Sequence, residues 1–247
     1  MGEAEVERES LRDLGRLMEE AERWGVRLLV IGGYAVRAYT RAYRYTKDID
    51  LATTREGLGR LKGLLQSLGY ILRETEFGVA GSKRFDEGFI DLHVSVERIF
   101  DVSTGLSTPV TDEMSRDAGE LPVEGFYEES KPYPVKVPVI SLETLVLLKL
   151  IPVGREKDAV DLMALLIDKG REVNVAKLSE ACEQWGLGSH LVSQLRYYAD
   201  YIRRGEVDRL WFNLTGLRLT HVEKRATLRF IRHLINRLRI SQPSETP

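Results

Sequence analysis

Three aspartates in this chain are spaced for chemistry. Asp48 and Asp50 flank Ile49 in "RYTKDIDL", and Asp91 follows Ile90 in "FIDLHVSV". Alternate side chains of a strand share a face, so Asp48 and Asp50 project together, with Ile49 and Leu51 opposite. The second stretch alternates in the same way. Ile90, Leu92, Val94 and Val96 are apolar, while Asp91, His93 and Ser95 share the other face. On neighbouring strands the three carboxylates would converge above one sheet. Like charges held that close are costly unless a cation compensates them. Carboxylate oxygens are hard ligands suited to Mg²⁺ or Mn²⁺, ions that keep positions open for substrate phosphates. A lone Asp-x-Asp is more often a cap or a solvated strand edge. The later strand aspartate and the glycines upstream favour a metal site, with Asp48, Asp50 and Asp91 as ligands. His93 is read as a packing or hydrogen-bonding residue and left out of that set.

The glycines are Gly32 and Gly33, which close the apolar run "RLLVI". Glycine after a buried strand permits a tight turn and close helix packing. A dinucleotide-binding turn needs G-x-G-x-x-G, and here Tyr34, Ala35 and Val36 follow without a third glycine. The Gly-Lys-Ser/Thr ending of a P-loop is missing too. One more residue is chemically out of place: Lys149 lies inside "LVLLKL". A helix that apolar rarely admits a lysine unless its ammonium snorkels to an edge or reaches a cleft or an acid.

The elements that must position these residues follow from periodicity. Leu11, Leu14, Leu17, Met18 and Ala21 recur at helical spacing between Glu3 and Gly25. A short strand (Arg27 to Ile31), a short helix (Tyr34 to Arg41), a second strand (Lys47 to Thr53) and an amphipathic helix (Arg55 to Leu68) follow. Further strands are expected at Tyr70 to Arg73, Phe77 to Ala80, Ser82 to Asp86 and Phe89 to Val96. From Ser141 onward the patterns are helical only. Strands with helices first and helices alone afterwards predict an α+β fold: a mixed-sheet core over residues 1–139 and an all-helical C-terminal domain over residues 140–247.

Composition sets outer limits. At 247 residues, 43% hydrophobic and 30% charged, the chain reads as a globular protein with a real core. No apolar run approaches the roughly 20 residues of a membrane span. The acidic N-terminus lacks an apolar signal core and Cys182 is the single cysteine, so a cytoplasmic location is expected. The net charge of −2 is unevenly spread. Asp112, Glu113, Asp117, Glu120, Glu124, Glu128 and Glu129 oppose Arg116 alone, whereas Arg218, Lys224, Arg225, Arg229, Arg232, Arg237 and Arg239 oppose only Glu223. A polyanion would therefore meet the C-terminal end, although such basic faces are usually only solvated.

Gly32-Gly33, the short helix, "RYTKDIDL" and "IDLHV" together resemble the nucleotidyltransferase superfamily with the polymerase-β-type fold. Within it the chain is similar to the AbiEii-type group, which includes toxins of toxin–antitoxin pairs. The similarity runs through Gly32, Gly33, Ala35, Arg44, Thr46, Asp48, Asp50 and Leu51, then Ser141, Glu143, Leu145, Lys149, Leu150, Arg155, Lys157, Asp158, Asp161 and Leu162.

The resemblance implies transfer of NMP from an NTP to a hydroxyl, with release of pyrophosphate. It implies two Mg²⁺ (or Mn²⁺) ions on Asp48, Asp50 and Asp91, with Asp91 also accepting the hydroxyl proton. Gly32 and Gly33 would let backbone N–H groups approach the triphosphate, Arg44 and Thr46 would flank it, and Lys149 would contact its outer phosphates. Asp158 and Asp161 would orient Lys149 or hold the base or ribose. Three acceptors stay open: RNA (especially a tRNA 3′ end), a protein side chain, or a small molecule such as an aminoglycoside. An antitoxin protein is an expected partner. The competing reading is a non-catalytic nucleotide- or RNA-binding module on the same fold, against which the intact aspartate set argues.

Overall fold

The computed structural model describes residues 2–41, 43–85, 88–128 and 134–240. Asp86, Glu129 and the side chain of Arg239, which the sequence patterns above include, lie outside them. Two compact units emerge, one of residues 1–100 and 107–141, the other of residues 101–106 and 142–247.

The first unit opens with α1 (Glu3–Arg23), which buries Leu11, Leu14, Leu17 and Ala21 and ends before Gly25, a left-handed residue (φ +63°). There follow β1 (Leu29–Val30), α2 (Gly32–Tyr39), β2 (Ile49–Thr53), α3 (Leu58–Ser67), β3 (Ile71–Thr75), β4 (Gly78–Phe85), β5 (Gly88–Val96), β6 (Arg98–Phe100), β7 (Ser107–Pro109), α4 (Asp112–Arg116), β8 (Gly119–Val123) and β9 (Val135–Val139). Seven of the strands form one sheet in the order β3-β4-β5-β2-β1-β9-β8, while β6 and β7 make a separate hairpin. The sheet is mixed: β2 runs parallel to β5 and β1 parallel to β9, and the other pairs are antiparallel. Between β2 and β9, β1 is short and wholly buried, as its apolar sequence requires.

One expected break is absent. Phe77 to Ala80 and Ser82 onward read as two strands, but β4 runs unbroken through Gly81. A Cβ there would lie 3.1 Å from Tyr70 and 3.2 Å from Leu72, so the glycine makes room for neighbouring side chains rather than for a turn.

The second unit is helical, with α5 (Leu142–Leu150), α6 (Glu156–Lys169), α7 (Val175–Gln184), α8 (Gly188–Arg203), α9 (Glu206–Thr215) and α10 (His221–Ile240). Apolar on nearly every side, α5 is the central helix and packs against α6, α7 and α8. α10 closes over α6, α7 and α8 through Ile231, Leu234 and Leu238 and leaves Arg225, Arg229 and Arg232 exposed. Among the described residues, no helix is long and apolar enough to cross a membrane.

Candidate active site

The parallel pairing of β2 with β5 sets the acidic face. Ile49 lies opposite Leu92 and Asp50 opposite His93, so Asp50, His93 and Asp91 share one side of the sheet, with Asp48 at the entry to β2. The other side carries Ile49, Leu51, Ile90 and Leu92, all buried. Asp48, Asp50 and Asp91 are all half-buried. Burial of one face therefore fixes the register that assembles the carboxylates on the other.

His93, which its sequence context marks only as a packing or hydrogen-bonding residue, belongs to this face. Its Nδ1 lies 3.6 Å from Asp50 Oδ1. The polar contact with Asp50 raises its pKa, burial works the other way, and the charges of Asp50, Asp48 and Asp91 raise it further. An imidazole with a raised pKa marks concentrated negative charge. The signal is present in the alternation that puts His93 on the face of Asp91. Among the described residues, no group of three or more His, Cys, Asp or Glu side chains is drawn closely enough together to hold a metal ion. The donors nonetheless fit a hard divalent cation in chemistry, being carboxylates gathered on one face beside a cradle of glycine backbone.

That cradle explains the glycine pair. Gly32 has φ +67°, and a Cβ there would lie 2.2 Å from Asp50 Oδ2. A Cβ on Gly33 would lie 2.7 Å from Thr46 Oγ1. The first turn of α2 thus rests directly against an acid of the site and against the segment leading to the other. Gly32→Ala is expected to lose about 1–2 kcal/mol to the left-handed backbone alone, and more to the displaced carboxylate. Thermal melting would show the destabilisation, and a variant as stable as the wild type would mean that the turn and Asp50 can separate without cost.

The tyrosines around the turn are mostly packing residues. Tyr34 and Tyr43 are buried, and burial pushes the Tyr34 hydroxyl well above its usual range. Tyr45 is half-buried with its ring centroid 5.8 Å from that of Tyr127, and burial pushes its pKa up to about 12. Arg44 is half-buried and donates through Nη1 to the Tyr45 carbonyl at 3.1 Å; Thr46 follows two residues on, against Gly33.

In the second unit, Lys149 has the acids its apolar surroundings call for. Its Nζ lies 2.7 Å from Asp158 Oδ1 and 2.8 Å from Asp161 Oδ2, with all three residues buried. Burial alone would lower the lysine pKa, but Asp161 and Asp158 more than offset it and hold it above the ordinary value. Arg155 Nε lies 3.0 Å from Asp158 Oδ2, and Arg155 Nη1 lies 3.3 Å from Asp101. Asp161 therefore pairs with Lys149, across to α5.

A mixed sheet with a Gly-Gly turn set against an acidic strand face is the arrangement of a nucleotidyltransferase. More narrowly, the chain belongs to the family described as "Nucleotidyl transferase AbiEii toxin, Type IV TA system", whose model matches residues 16–230. That match reaches beyond the motif-bearing stretch into helices that carry no motif of their own. The fold resembles that of JHP933 from Helicobacter pylori, with a TM-score of 0.57 at 13% identity over 96% of this chain and 94% of that one. A second H. pylori structure superposes with a TM-score of 0.50 at 12% identity over 97% and 98% of the two chains. ANT(2″)-Ia in complex with adenylyl-2″-tobramycin gives a TM-score of 0.48 at 16% identity over 71% of this chain and 95% of that one. No curated protein matches the chain.

Proposed function

We propose that this nucleotidyltransferase moves NMP from an NTP to a hydroxyl acceptor using Asp48, Asp50 and Asp91, and that it acts as the toxin of a toxin–antitoxin pair. The observation that carries the reading is the β2–β5 register, which sets Asp50 and Asp91 on one face, with Asp48 at the entry to β2 and Asp50 against the Gly32 turn. The aspartates would hold Mg²⁺ or Mn²⁺, two ions in all, and the bound ions would neutralise charge on the phosphates. Backbone N–H groups at the start of α2 would donate to the triphosphate, a role suited to a helix N-terminus approached over glycine. Asp91 would take the proton of the attacking hydroxyl as its oxygen bonds to the α-phosphorus and pyrophosphate leaves. Arg44 and Thr46 are assigned to the nucleotide from the same segment. Lys149 and Asp158 are assigned to nucleotide binding in the second unit. The acceptor proposed is RNA, a protein side chain or a small molecule, and the expected protein partner is an antitoxin.

The test is to incubate the protein with each labelled NTP and total tRNA or protein, with Mg²⁺ and with chelator. Transfer is expected in Mg²⁺ only, with nucleotide affinity markedly weaker in chelator. Nucleotide bound without any labelled acceptor would replace this reading by the binding module. Unchanged transfer in chelator would remove the metal.

A further inference from the structure

A buried ion pair lies behind the acidic face. Glu7 of α1 and Arg37 of α2 approach to 2.8 Å with side chains 0% and 3% exposed. Such a pair adds little net stability, because desolvating both charges offsets their attraction. Its remaining contacts show what it holds. Arg37 Nη2 donates to the Arg44 carbonyl at 2.9 Å and Nη1 to the Glu124 carbonyl at 3.3 Å. Glu7 Oε2 accepts from the backbone N–H groups of Phe126 and Tyr127 at 2.8 and 3.2 Å. One turn along each helix stands a second, uncharged link. The Tyr34 hydroxyl donates to Ser10 Oγ at 2.9 Å, and Ser10 Oγ donates to the Lys47 carbonyl at 2.6 Å. The guanidinium of Arg37 sits over the Tyr34 ring, 5.3 Å from its centroid, which joins the two links.

Both ends of the segment Arg44–Lys47 are therefore tied by their carbonyls, Arg44 through Arg37 and Lys47 through Ser10. Thr46 lies between the ties, against Gly33, and Asp48 follows directly. We infer that Glu7 and Arg37 are positioning residues for nucleotidyl transfer: their buried pair holds the Arg44–Lys47 segment so that Asp48 enters β2 beside Asp50. The inference rests on the assignment of Asp48 to the site proposed above. A pair that served only to fill the core would leave the segment unaffected once replaced by neutral groups of similar size.

The test uses Glu7→Gln/Arg37→Met. Glutamine keeps an acceptor for Phe126 and Tyr127, and the double change removes both charges together with the ties to Arg44 and Glu124 and the guanidinium over the Tyr34 ring. The double variant is expected to melt near the wild-type temperature. Trypsin should cut after Arg44 about tenfold faster, because local opening sets the cutting rate. The turnover number should fall by about a hundredfold, the cost of a catalytic group displaced by an ångström or so, with KM for NTP little changed.

Arg37→Lys keeps the charge but cannot span Glu7 and both carbonyls, so it should expose Arg44 to trypsin in the same way. Wild-type resistance at Arg44 in either folded variant would overturn the inference, as would unchanged turnover in a segment that trypsin finds open. If the double variant fails to fold, Arg37→Lys alone decides. Release of the segment in a protein whose wild type transfers no nucleotide would sink the proposed function and leave the strut standing.

Discussion

An Asp50→Asn protein is expected to fold as the wild type does and to transfer nucleotide at least about a hundredfold more slowly, the scale of losing one group that stabilises developing charge. Asparagine has the shape of aspartate, so it still fits the space that Gly32 leaves open. What changes is the charge. Three half-buried carboxylates on one face repel one another, and neutralising one relieves that repulsion. The lost partner of His93 offsets little, since that contact spans 3.6 Å with the histidine side chain 61% exposed. Melting temperature should hold or rise while the single-turnover rate collapses. Near-wild-type turnover in a working assay would take Asp50 out of the chemistry and the other two aspartates with it.

The largest stability effect is expected at Lys149. Methionine keeps the stem in its apolar surroundings but removes the ammonium that Asp158 and Asp161 share in a buried site. Removing one partner of a buried ion pair typically costs about 3–5 kcal/mol, and denaturant unfolding of Lys149→Met should show a loss of that order. Adding Asp161→Asn removes the repulsion and should recover most of it.

The stabilised double variant also reads the nucleotide role. Restored stability without restored NTP affinity supports it, while full affinity and transfer remove it. The pH dependence has a definite sign. A lysine whose folded pKa is raised contributes its stability fully below the ordinary value of about 10.5, and that contribution is lost only as pH climbs past the raised one. A melting temperature unchanged in Lys149→Met would mean that the two carboxylates need no cation.

What is legible in the sequence follows from periodicity. A strand repeats every two residues, so the shared face of Asp48 with Asp50 and of Asp91 with His93 can be read from the residues alone. Pairing β2 with β5 joins residues some forty positions apart, and nothing local encodes it. The contact of His93 with Asp50 is hidden for that reason, since the two lie on different strands. Lys149 announces itself because an ammonium in an apolar helix needs a partner; that both acids serve it at once is a matter of how α5 packs on α6. Gly81 misleads because a glycine in a strand signals a break as readily as a close approach. The Glu7–Arg37 pair is illegible altogether. In an acidic first helix, nothing distinguishes a glutamate that will be buried from the solvated ones around it.

The first helix does more than cover the sheet. Besides Glu7 and Ser10, its inner face carries Asp13, which accepts hydrogen bonds from Tyr70 and Lys83. A purely aliphatic face could slide or rotate a little against its neighbours and find another set of contacts. Three polar side chains at successive turns, each with its own partner, cannot. They work like the teeth of a key, and α1 has one depth and one angle at which all of them are satisfied. A single residue inserted between Ser10 and Asp13 would turn everything before it relative to everything after it by about 100° and shift it by about 1.5 Å. Point changes on the exposed side of α1 should pass unnoticed, but its length between Glu7 and Asp13 is not free to vary.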